Sequence, residues 1–342
     1  MNVTTIGFDI AKSVFHLVGA QVNGKQVLKK KLKRKKVLEY FGNFPPCVIG
    51  IEACGGAQYW ARELRGLGHD ARLINPKYVK RFLYGNKNDY NDAAALCDAV
   101  MHPETRLVPV KTPAQQDIQA IHRLRSGALK DRGGLVNRAR GLLSEYGIVM
   151  PKGIGVFRRR VPELLEDAEN GLSELFRGLL AQLYEQVQAL DGRIAGYDKR
   201  LVQLTQADES CQRLDEVPGF GTIVCTALVA SVGDGRAFKN GRHLSASLGL
   251  VPRQHSTGGK PRLLGISKRG DKYLRALLIH GARSVVHYAK NKDDALSRWI
   301  NRIRCENGTN VAAVALANKL VRIAWVILRR GERYRPALAT RA

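Results

Sequence analysis

The sequence predicts a mixed α/β domain, followed by a long coiled-coil helix and an all-α region. Strand and helix signals alternate in the first part of the chain, an apolar heptad repeat occupies the middle, and strand signals nearly vanish after about Leu214. These three observations place the α/β domain at residues 1–155, the coiled coil at 160–210 and the helical region at 211–342.

Five segments of the first domain have strand composition, and the first three form consecutive hairpins. Asn23-Gly24 is a hairpin turn signal, and a helix is predicted over residues 59–67. The strand segments are, in order, VTTIGFDI, VFHLVGAQV, KQVLKKKLK, CVIGIEA and ARLINP. Three antiparallel strands followed by β-α-β units predict one mixed sheet, with a largely helical pattern from Asn91 onward.

Apolar residues in the middle segment repeat at alternating spacings of four and three, the pattern of a left-handed coiled coil. An amphipathic helix packed within its own domain, or an intramolecular hairpin, shows the same period and stays open as an alternative. Residues 161–210 are also acidic, with ten acidic and four basic side chains. The nine positions of the repeat are Phe176, Leu180, Leu183, Val187, Leu190, Ile194, Tyr197, Leu201 and Leu204.

The 342 residues include 56 lysines and arginines against 30 acidic residues, a net charge of +26. This excess disfavours a small neutral or acidic metabolic enzyme and predicts a polyanionic partner, with nucleic acid ahead of an anionic membrane surface. The longest nearly apolar run, residues 220–232, is shorter than the roughly twenty residues that cross a bilayer. The six cysteines show no C-x-x-C spacing. We therefore expect a soluble, unsecreted protein with reduced thiols and no membrane partner.

Four acidic residues of the first domain stand where a metal site requires them. Asp9 lies in the first strand and Glu52 in a buried strand, where an unpaired acid is unfavourable. Asp89 and Asp92 begin a helix three residues apart, so both face one side. Hard oxygen ligands from separate elements can hold two magnesium ions for phosphoryl transfer. We also expect small Gly7 to let a substrate backbone approach Asp9.

Structural roles compete with this interpretation. Asp89 and Asp92 alone are more typical of a helix cap and a first-turn acid, and Asp9 alone could cap a turn. For His16 the alternatives are assistance to the metal site and a packed strand residue, of which the second is the more common. The ordered set of four acids, rather than any single one, therefore carries the metal-site prediction.

Basic residues surround a hydroxyl pair in the last third of the chain. Ser256-Thr257 precedes Gly258-Gly259, and converging cations would stabilise the pentavalent phosphate that a hydroxyl attack creates. The two glycines are expected to permit close approach to DNA. Composition alone favours a phosphate-binding loop with an incidental serine. Residues 218–221, PGFG, separate two apolar stretches and predict a helix-hairpin-helix-like segment that could hold a phosphate.

A second basic segment, residues 29–36, alternates with Leu32 and predicts an edge strand that faces nucleic acid. The nucleic-acid-binding residues predicted from both segments are Lys29, Lys30, Lys31, Lys33, Arg34, Arg253, Lys260, Arg262, Lys268, Arg269 and Lys272.

The chain resembles the DEDD transposases of the bacterial insertion-sequence families numbered 110 and 1111. The resemblance rests on GFDIAKSVFHL, GIEACGG, NPKYVKRFLYGNKNDYNDAAALC and the carboxy-terminal basic block, with Asn88 where a threonine is expected. It implies a RuvC-like, RNase H-fold domain with Asp9, Glu52, Asp89 and Asp92 as catalytic magnesium ligands. It also implies a Transposase-20 domain whose serine becomes joined to DNA.

Ser256 is the best match for that serine, with Thr257 and Ser267 as alternatives and less weight on Ser245 and Ser247. The resemblance further implies donor and target DNA, an element-encoded guide RNA and action at the nucleoid in the bacterial cytoplasm. We expect a dimer or tetramer through the coiled coil. A RuvC-like junction endonuclease, a site-specific DNA invertase and a non-catalytic nucleic-acid scaffold remain the alternative functions.

Overall fold

The computed structural model describes residues 2–86, 88–260 and 262–336, and the chain forms two compact units, Met1–Thr112 and Pro113–Ala342. Residues 113–155, which the sequence places with the α/β domain, pack with the second unit. The three-part domain division stays a prediction.

Unit 1 is a mixed sheet of six strands among its described residues, in the order β3-β2-β1-β4-β5-β6. The first three strands are antiparallel, β4 and β5 run parallel to β1, and β6 is antiparallel to β5. This order is consistent with an RNase H-like fold. The elements are β1 (Thr5–Asp9), β2 (Val14–Ala20), β3 (Gln26–Lys33), α1 (Val37–Gly42), β4 (Val48–Glu52), α2 (Ala57–Gly66), β5 (Asp70–Ile74), α3 (Pro76–Val79), α4 (Asp89–Met101) and β6 (Leu107–Val108).

Helices cover both faces of this sheet because alternate strand residues are apolar on each side. Helices α1 and α2 pack on one face, where Phe8, Phe15 and Trp60 form a ring cluster. Helix α4 packs on the other face, over β1, β2 and β4. The predicted strands and the mixed sheet are confirmed, and so is the position of β3 at the sheet edge.

Unit 2 is mainly helical. A helical region after the mixed sheet is therefore confirmed, although one two-stranded sheet interrupts it. The elements are α5 (Pro113–Ser144), α6 (Ile154–Glu166), α7 (Glu174–Ala207), α8 (Glu209–Asp215), α9 (Thr222–Val232), α10 (Gly241–Ser247), β7 (Pro252–Gln254), β8 (Leu263–Ile266), α11 (Lys272–Tyr288), α12 (Ala295–Asn307) and α13 (Thr309–Arg330).

The heptad residues all lie on α7, and their stripe packs within the same chain. Phe176, Leu180 and Val187 are buried in one cluster with residues of α5 and α6. Arg132 of α5 pairs with Asp191 of α7 at 2.7 Å, and Arg125 pairs with Asp198, so the two helices run antiparallel. The intramolecular hairpin that the sequence left open is what the structure contains. An oligomer through this coil stays a prediction, and its partner would contact a face other than the buried stripe.

The PGFG segment joins α8 to α9 through a tight turn. Gly219 adopts a φ of +79°, and a Cβ there would lie 2.6 Å from the carbonyl oxygen of Gly281 in α11. Glycine is therefore required both by the backbone angle and by the contact with α11. Two helices joined by a turn agree with the predicted helix-hairpin-helix-like outline, and the role of this turn as a phosphate site stays a prediction.

Among the described residues, α13 is long and apolar enough to cross a membrane by length and composition alone. This helix differs from the prediction that residues 220–232 are the longest apolar run. Leu316, Leu320 and Ile327 of α13 are buried in the core of unit 2. Core helices pass the same length test, so this helix is weak evidence for a membrane span.

Candidate active site

Two carboxylates stand side by side at the ends of adjacent parallel strands. Strands β1 and β4 pair up to Phe8 and Ile51, so Asp9 and Glu52 are the next residues on neighbouring strands. Side chains at matching positions of paired strands point to the same face, about 4.8 Å apart along the sheet. Asp9 and Glu52 are both half-buried, at the carboxyl edge where ligand sites of open α/β sheets form.

Two glycines bring α4 into direct contact with these strands. A Cβ on Gly7 would lie 1.8 Å from the carbonyl oxygen of Ala93, and one on Gly50 would lie 2.7 Å from that of Leu96. Gly7 and Gly50 each stand two residues before their carboxylate, on the same face. The expectation that Gly7 admits a substrate backbone is therefore wrong, because α4 fills that space.

The contacts of α4 with β1 and β4 also determine which way the acidic first turn of this helix faces. Asp89 stands four residues before Ala93, on the helix stripe that crosses β1, and Asp92 stands four residues before Leu96, on the stripe that crosses β4. Asn88 is the N-cap, and its side-chain oxygen accepts a hydrogen bond from the Asn91 N–H at 2.8 Å. Because Asn88 caps the helix, neither aspartate is used as the cap residue.

Asp9, His16 and Asp89 form a compact group whose ligand atoms all lie within 4.8 Å of one another. His16 is directly opposite Asp9 on β2, and its Nδ1 lies 3.4 Å from Oδ2 of Asp89. The Tyr90 ring packs edge-on against the imidazole at 4.8 Å between centroids. Glu52 and Asp92 lie outside this 4.8 Å group. The sequence leaves the role of His16 open, although its place opposite Asp9 follows from the register of the β1–β2 hairpin.

Asp9 and Glu52 both lie close enough to the Cys54 thiol for their negative charges to affect it. Partial desolvation, and then the negative charges of Glu52 and Asp9, raise the pKa of the Cys54 thiol. A group of converging carboxylates can hold a cation, and carboxylate oxygen is the ligand that Mg²⁺ prefers. The donor set of Asp9 and Asp89 fits a divalent metal, whereas the imidazole of His16 suits softer ions better than magnesium.

Three lysines of the edge strand lie on the same sheet face as the carboxylates. His16 is opposite Lys31 in the β2–β3 register, so Glu52, Asp9, His16 and Lys31 form one row across four strands. Lys29 and Lys33 share the face of Lys31, and all three are exposed. Leu32 is buried on the opposite face, where Nζ of Lys30 lies 4.4 Å from the ring centroid of Tyr40. The predicted cluster is therefore split between two faces.

In unit 2, Ser256 lies on a β-hairpin that the sequence analysis did not predict. Gly258 and Gly259, at φ +56° and +74°, form the central pair of a turn in which Thr257 and Lys260 are bridged. Two positive φ angles are typical of a type I′ hairpin turn. The glycines therefore allow the turn, and the expectation that they also permit close approach to DNA stays a prediction.

The Ser256 hydroxyl is exposed and held by two donors. Its oxygen accepts hydrogen bonds from Nε2 of Gln254 at 3.0 Å and from the Arg262 backbone N–H at 3.2 Å. Donors aimed at this oxygen would stabilise negative charge as its proton leaves. Residues 235–270 contain eight lysines and arginines and no acidic residue. The predicted cations of this region are all exposed: Arg253, Lys260, Arg262, Lys268, Arg269 and Lys272.

The alternative hydroxyls differ in access. Ser245 is fully buried, and the Ser247 hydroxyl donates to the Leu244 carbonyl oxygen at 2.7 Å. Ser267 is half-buried at the end of β8, whereas Thr257 is exposed at the turn. Arg275, the next basic residue along the chain, is buried and donates to the carbonyl oxygens of Leu248 and Arg269. It fixes the loop after β8 and does not face solvent.

Comparison with known proteins places both units in one family. A model described as a transposase of the IS116/IS110/IS902 family matches residues 211–297, and a second, the DEDD transposase model of the IS110 group, matches residues 6–148. A probable family 20 transposase of Pseudomonas aeruginosa is 46% identical over 98% of this chain and all of that protein.

Two further relatives are transposases of named insertion elements. The transposase for IS1111A of Coxiella burnetii is 42% identical over 98% of this chain and 92% of its own length. The transposase for IS1328 of Yersinia enterocolitica is 40% identical over 96% of this chain and 98% of its own.

The fold, the acidic site and these matches define a transposase, an enzyme that cuts and joins DNA. The chain belongs to the IS110/IS1111 family, with a DEDD domain at the amino-terminal side and a Transposase-20 domain at the carboxy-terminal side. The predicted resemblance is confirmed. A DEDD nuclease domain implies a divalent metal, and this accords with the oxygen donors of Asp9 and Asp89.

Replacement of Gly7 tests whether the approach of α4 builds the site. In Gly7→Ala, the new methyl group collides with the Ala93 carbonyl oxygen and pushes α4 away from β1. We expect the free energy of unfolding, from denaturant titration, to fall by about 1–3 kcal/mol, and DNA cleavage to be lost. Gly55→Ala is the matched control, because no atom lies within 4 Å of its added Cβ. Equal stability and cleavage in the two variants would contradict this account.

Proposed function

We propose that this transposase cuts and joins DNA through a magnesium-binding carboxylate site and a serine nucleophile, directed by a guide RNA encoded in the same insertion element. The observation that carries the proposal is the convergence of Asp9 and Asp89 in unit 1, with Glu52 and Asp92 on the same face. The first two are within 4.8 Å of each other, a separation that one cation can bridge.

Asp9, Glu52, Asp89 and Asp92 would hold the magnesium, two ions in our proposal. Bound there, it would stabilise negative charge on the scissile phosphate and on the leaving oxygen. His16, 3.4 Å from Asp89, would keep that carboxylate directed towards Asp9. His16 is therefore proposed as a positioning residue.

Ser256 would supply the nucleophile. Its oxygen attacks the scissile phosphorus, a P–Oγ bond forms, one P–O bond to a deoxyribose breaks, and the departing oxygen takes up a proton. A hydroxyl of another DNA end then attacks the phosphoserine, which restores the serine and completes joining. Exposure of Ser256 and the two donors to its oxygen favour it over the buried Ser245. Thr257 and Ser267 remain the alternatives.

The guide RNA and the assembly are further parts of the proposal. A net charge of +26 accords with an enzyme that holds RNA together with donor and target DNA. Two or four copies would act together in the bacterial cytoplasm, at the nucleoid, so that the carboxylates and the serine of different chains could complete one centre.

A covalent-adduct assay tests the chemistry. Purified protein is mixed with RNA transcribed from its flanking DNA, labelled donor and target duplexes, and Mg²⁺, and protein-linked DNA is measured on denaturing gels. We expect an adduct that disappears in Ser256→Ala and in Asp9→Asn, and that requires the RNA. Thr257→Ala and Ser267→Ala are the matched controls and should retain it, because each removes a nearby hydroxyl alone.

Other outcomes identify the rival functions. An adduct of normal yield from Ser256→Ala would reject this serine. Free cut ends without any adduct would indicate a RuvC-like endonuclease that uses water. Reaction only at fixed inverted sites would indicate an invertase, and an unchanged phenotype in Asp9→Asn and Asp92→Asn would indicate a scaffold without catalysis.

Adjacent lysines of β3 test how DNA reaches the carboxylates. Lys31 shares the face of Asp9 and His16, whereas Lys30 lies on the other face over Tyr40. If DNA lies along the face that carries Asp9, Lys31→Gln removes a phosphate contact. The slope of log affinity for duplex DNA against log salt concentration should then become shallower by about 0.9 per lost contact. Lys30→Gln should leave this slope unchanged. Fluorescence anisotropy across a salt series measures both. Equal effects of the two substitutions would argue against this path.

A further inference from the structure

A cavity of about 750 Å³ at the carboxy-terminal end of unit 2 is lined by arginines and aromatic rings. It lies away from the Ser256 hairpin in sequence, and its residues belong to α10, the end of α13 and the segment that follows. Its charged lining consists of five arginines against one glutamate, namely Arg242, Arg322, Arg330, Arg333, Arg335 and Glu332. The size is within the range of about 300–1,000 Å³ for pockets that enclose a small ligand.

The walls of the cavity are held in place by contacts of their own. A Cβ on Gly241 would lie 2.9 Å from Cα of Arg322, so α10 begins directly against α13. Nε1 of Trp325 donates to the carbonyl oxygens of Gly235 and Phe238, at 3.1 and 3.2 Å. The Tyr334 N–H donates to Oε2 of Glu216 at 3.2 Å, which fixes the third wall. The cavity is therefore built before any ligand enters.

The arginines are available for an anion. Arg330 pairs with Glu332 at 3.6 Å and Arg333 pairs with Glu216 at 3.5 Å; both arginines and Glu216 are exposed, and Glu332 is half-buried. Exposed pairs of this kind contribute little, so a phosphate could replace the carboxylate. Arg242, Arg322 and Arg335 have no carboxylate partner among the described residues.

Trp325 and Tyr334 supply flat apolar surfaces beside these cations. Both side chains are half-buried, and the pyrrole N–H of Trp325 is already satisfied. Arginine together with aromatic rings is the combination that binds single-stranded nucleic acid, because the rings stack on bases while the cations hold phosphates. A base in a duplex is already stacked and would not offer its face.

We propose that this cavity is a binding site for an unpaired nucleotide stretch of single-stranded nucleic acid. The phosphates contact the arginines, and a base stacks on Tyr334 or Trp325. DNA and RNA share this chemistry, and the site requires neither the carboxylates nor Ser256. The proposal therefore stands apart from the serine chemistry.

Fluorescence anisotropy of the full chain in EDTA tests binding without cleavage. The probes are a labelled 12-nucleotide single strand as DNA, the same sequence as RNA, and the corresponding duplex. The test variant is Arg242→Gln with Arg330→Gln. The matched control is Lys239→Gln with Arg329→Gln, which removes the same charge from neighbouring exposed residues that do not line the cavity.

We expect the test variant to weaken single-strand binding about tenfold and to lower the salt slope by about 1.4, two lost contacts at about 0.7 each. The control should change affinity less than twofold, and Tyr334→Leu should also weaken binding about tenfold through lost stacking. The DNA and RNA arms tell which strand the site prefers. The proposal would be overturned if the test and control variants lost the same affinity for the single strand. It would also be overturned if Tyr334→Leu weakened duplex binding as much as single-strand binding.

The melting temperature of each variant distinguishes a loss of binding from a loss of folding. Arg242 and Arg330 are exposed, so their substitution should leave the melting temperature unchanged. Wild-type binding by the correctly folded arginine variant would by itself reject the site.

Discussion

The direct contact of α4 with two strands is the constraint on which the acidic site depends. Gly7 and Gly50 remove the side chains that would otherwise separate helix and sheet, so backbone atoms of α4 lie where Cβ atoms would be. The same contact sets both the distance and the direction of the first turn of the helix. Asp89 is thereby placed beside Asp9, and Asp92 on the stripe that crosses the strand of Glu52.

Bringing these carboxylates together is locally unfavourable for the free energy of folding. Carboxylates that converge repel one another. The raised pKa of Cys54, which the charges of Glu52 and Asp9 help to produce, reports the same negative potential. A divalent cation relieves that repulsion, so metal binding and the stability of the first unit should be coupled. Exposed basic side chains suited to phosphate lie on the same sheet face, with Lys31 in the row of Asp9 and Glu52.

The sequence predicts the sheet, and the elements on which the four acids lie, because both depend on local patterns. Alternation in GFDI and VIGIE fixes which residues share a face, and the Gly-x-acid spacing at Gly7 and Gly50 recurs on both strands. The prediction for Gly7 is wrong, since the element that fills its space, α4, comes from more than 40 residues later in the chain. His16 was undervalued for a related reason: its importance depends on cross-strand register as well as on residue type.

The second unit was harder to predict. The Ser256 hairpin has strands of three and four residues, too short for a clear alternation signal, and only Gly258-Gly259 marks its turn. The coiled-coil repeat was found, but a heptad pattern does not say whether its partner is another chain or α5 of the same one. The arginine cavity combines α10 with residues about 80 to 90 positions later, a tertiary proximity that composition cannot reveal.

The central claim is that α4 and two strands together form a cation site. A measurement of metal binding tests this claim most directly. Mn²⁺ can be counted by electron paramagnetic resonance in the wild type, in Asp9→Asn with Glu52→Gln, and in Asp98→Asn, which alters an exposed acid elsewhere on α4. We predict bound Mn²⁺ in the wild type and in Asp98→Asn, and its loss in the double variant. Unchanged Mn²⁺ binding by a folded double variant would contradict the account.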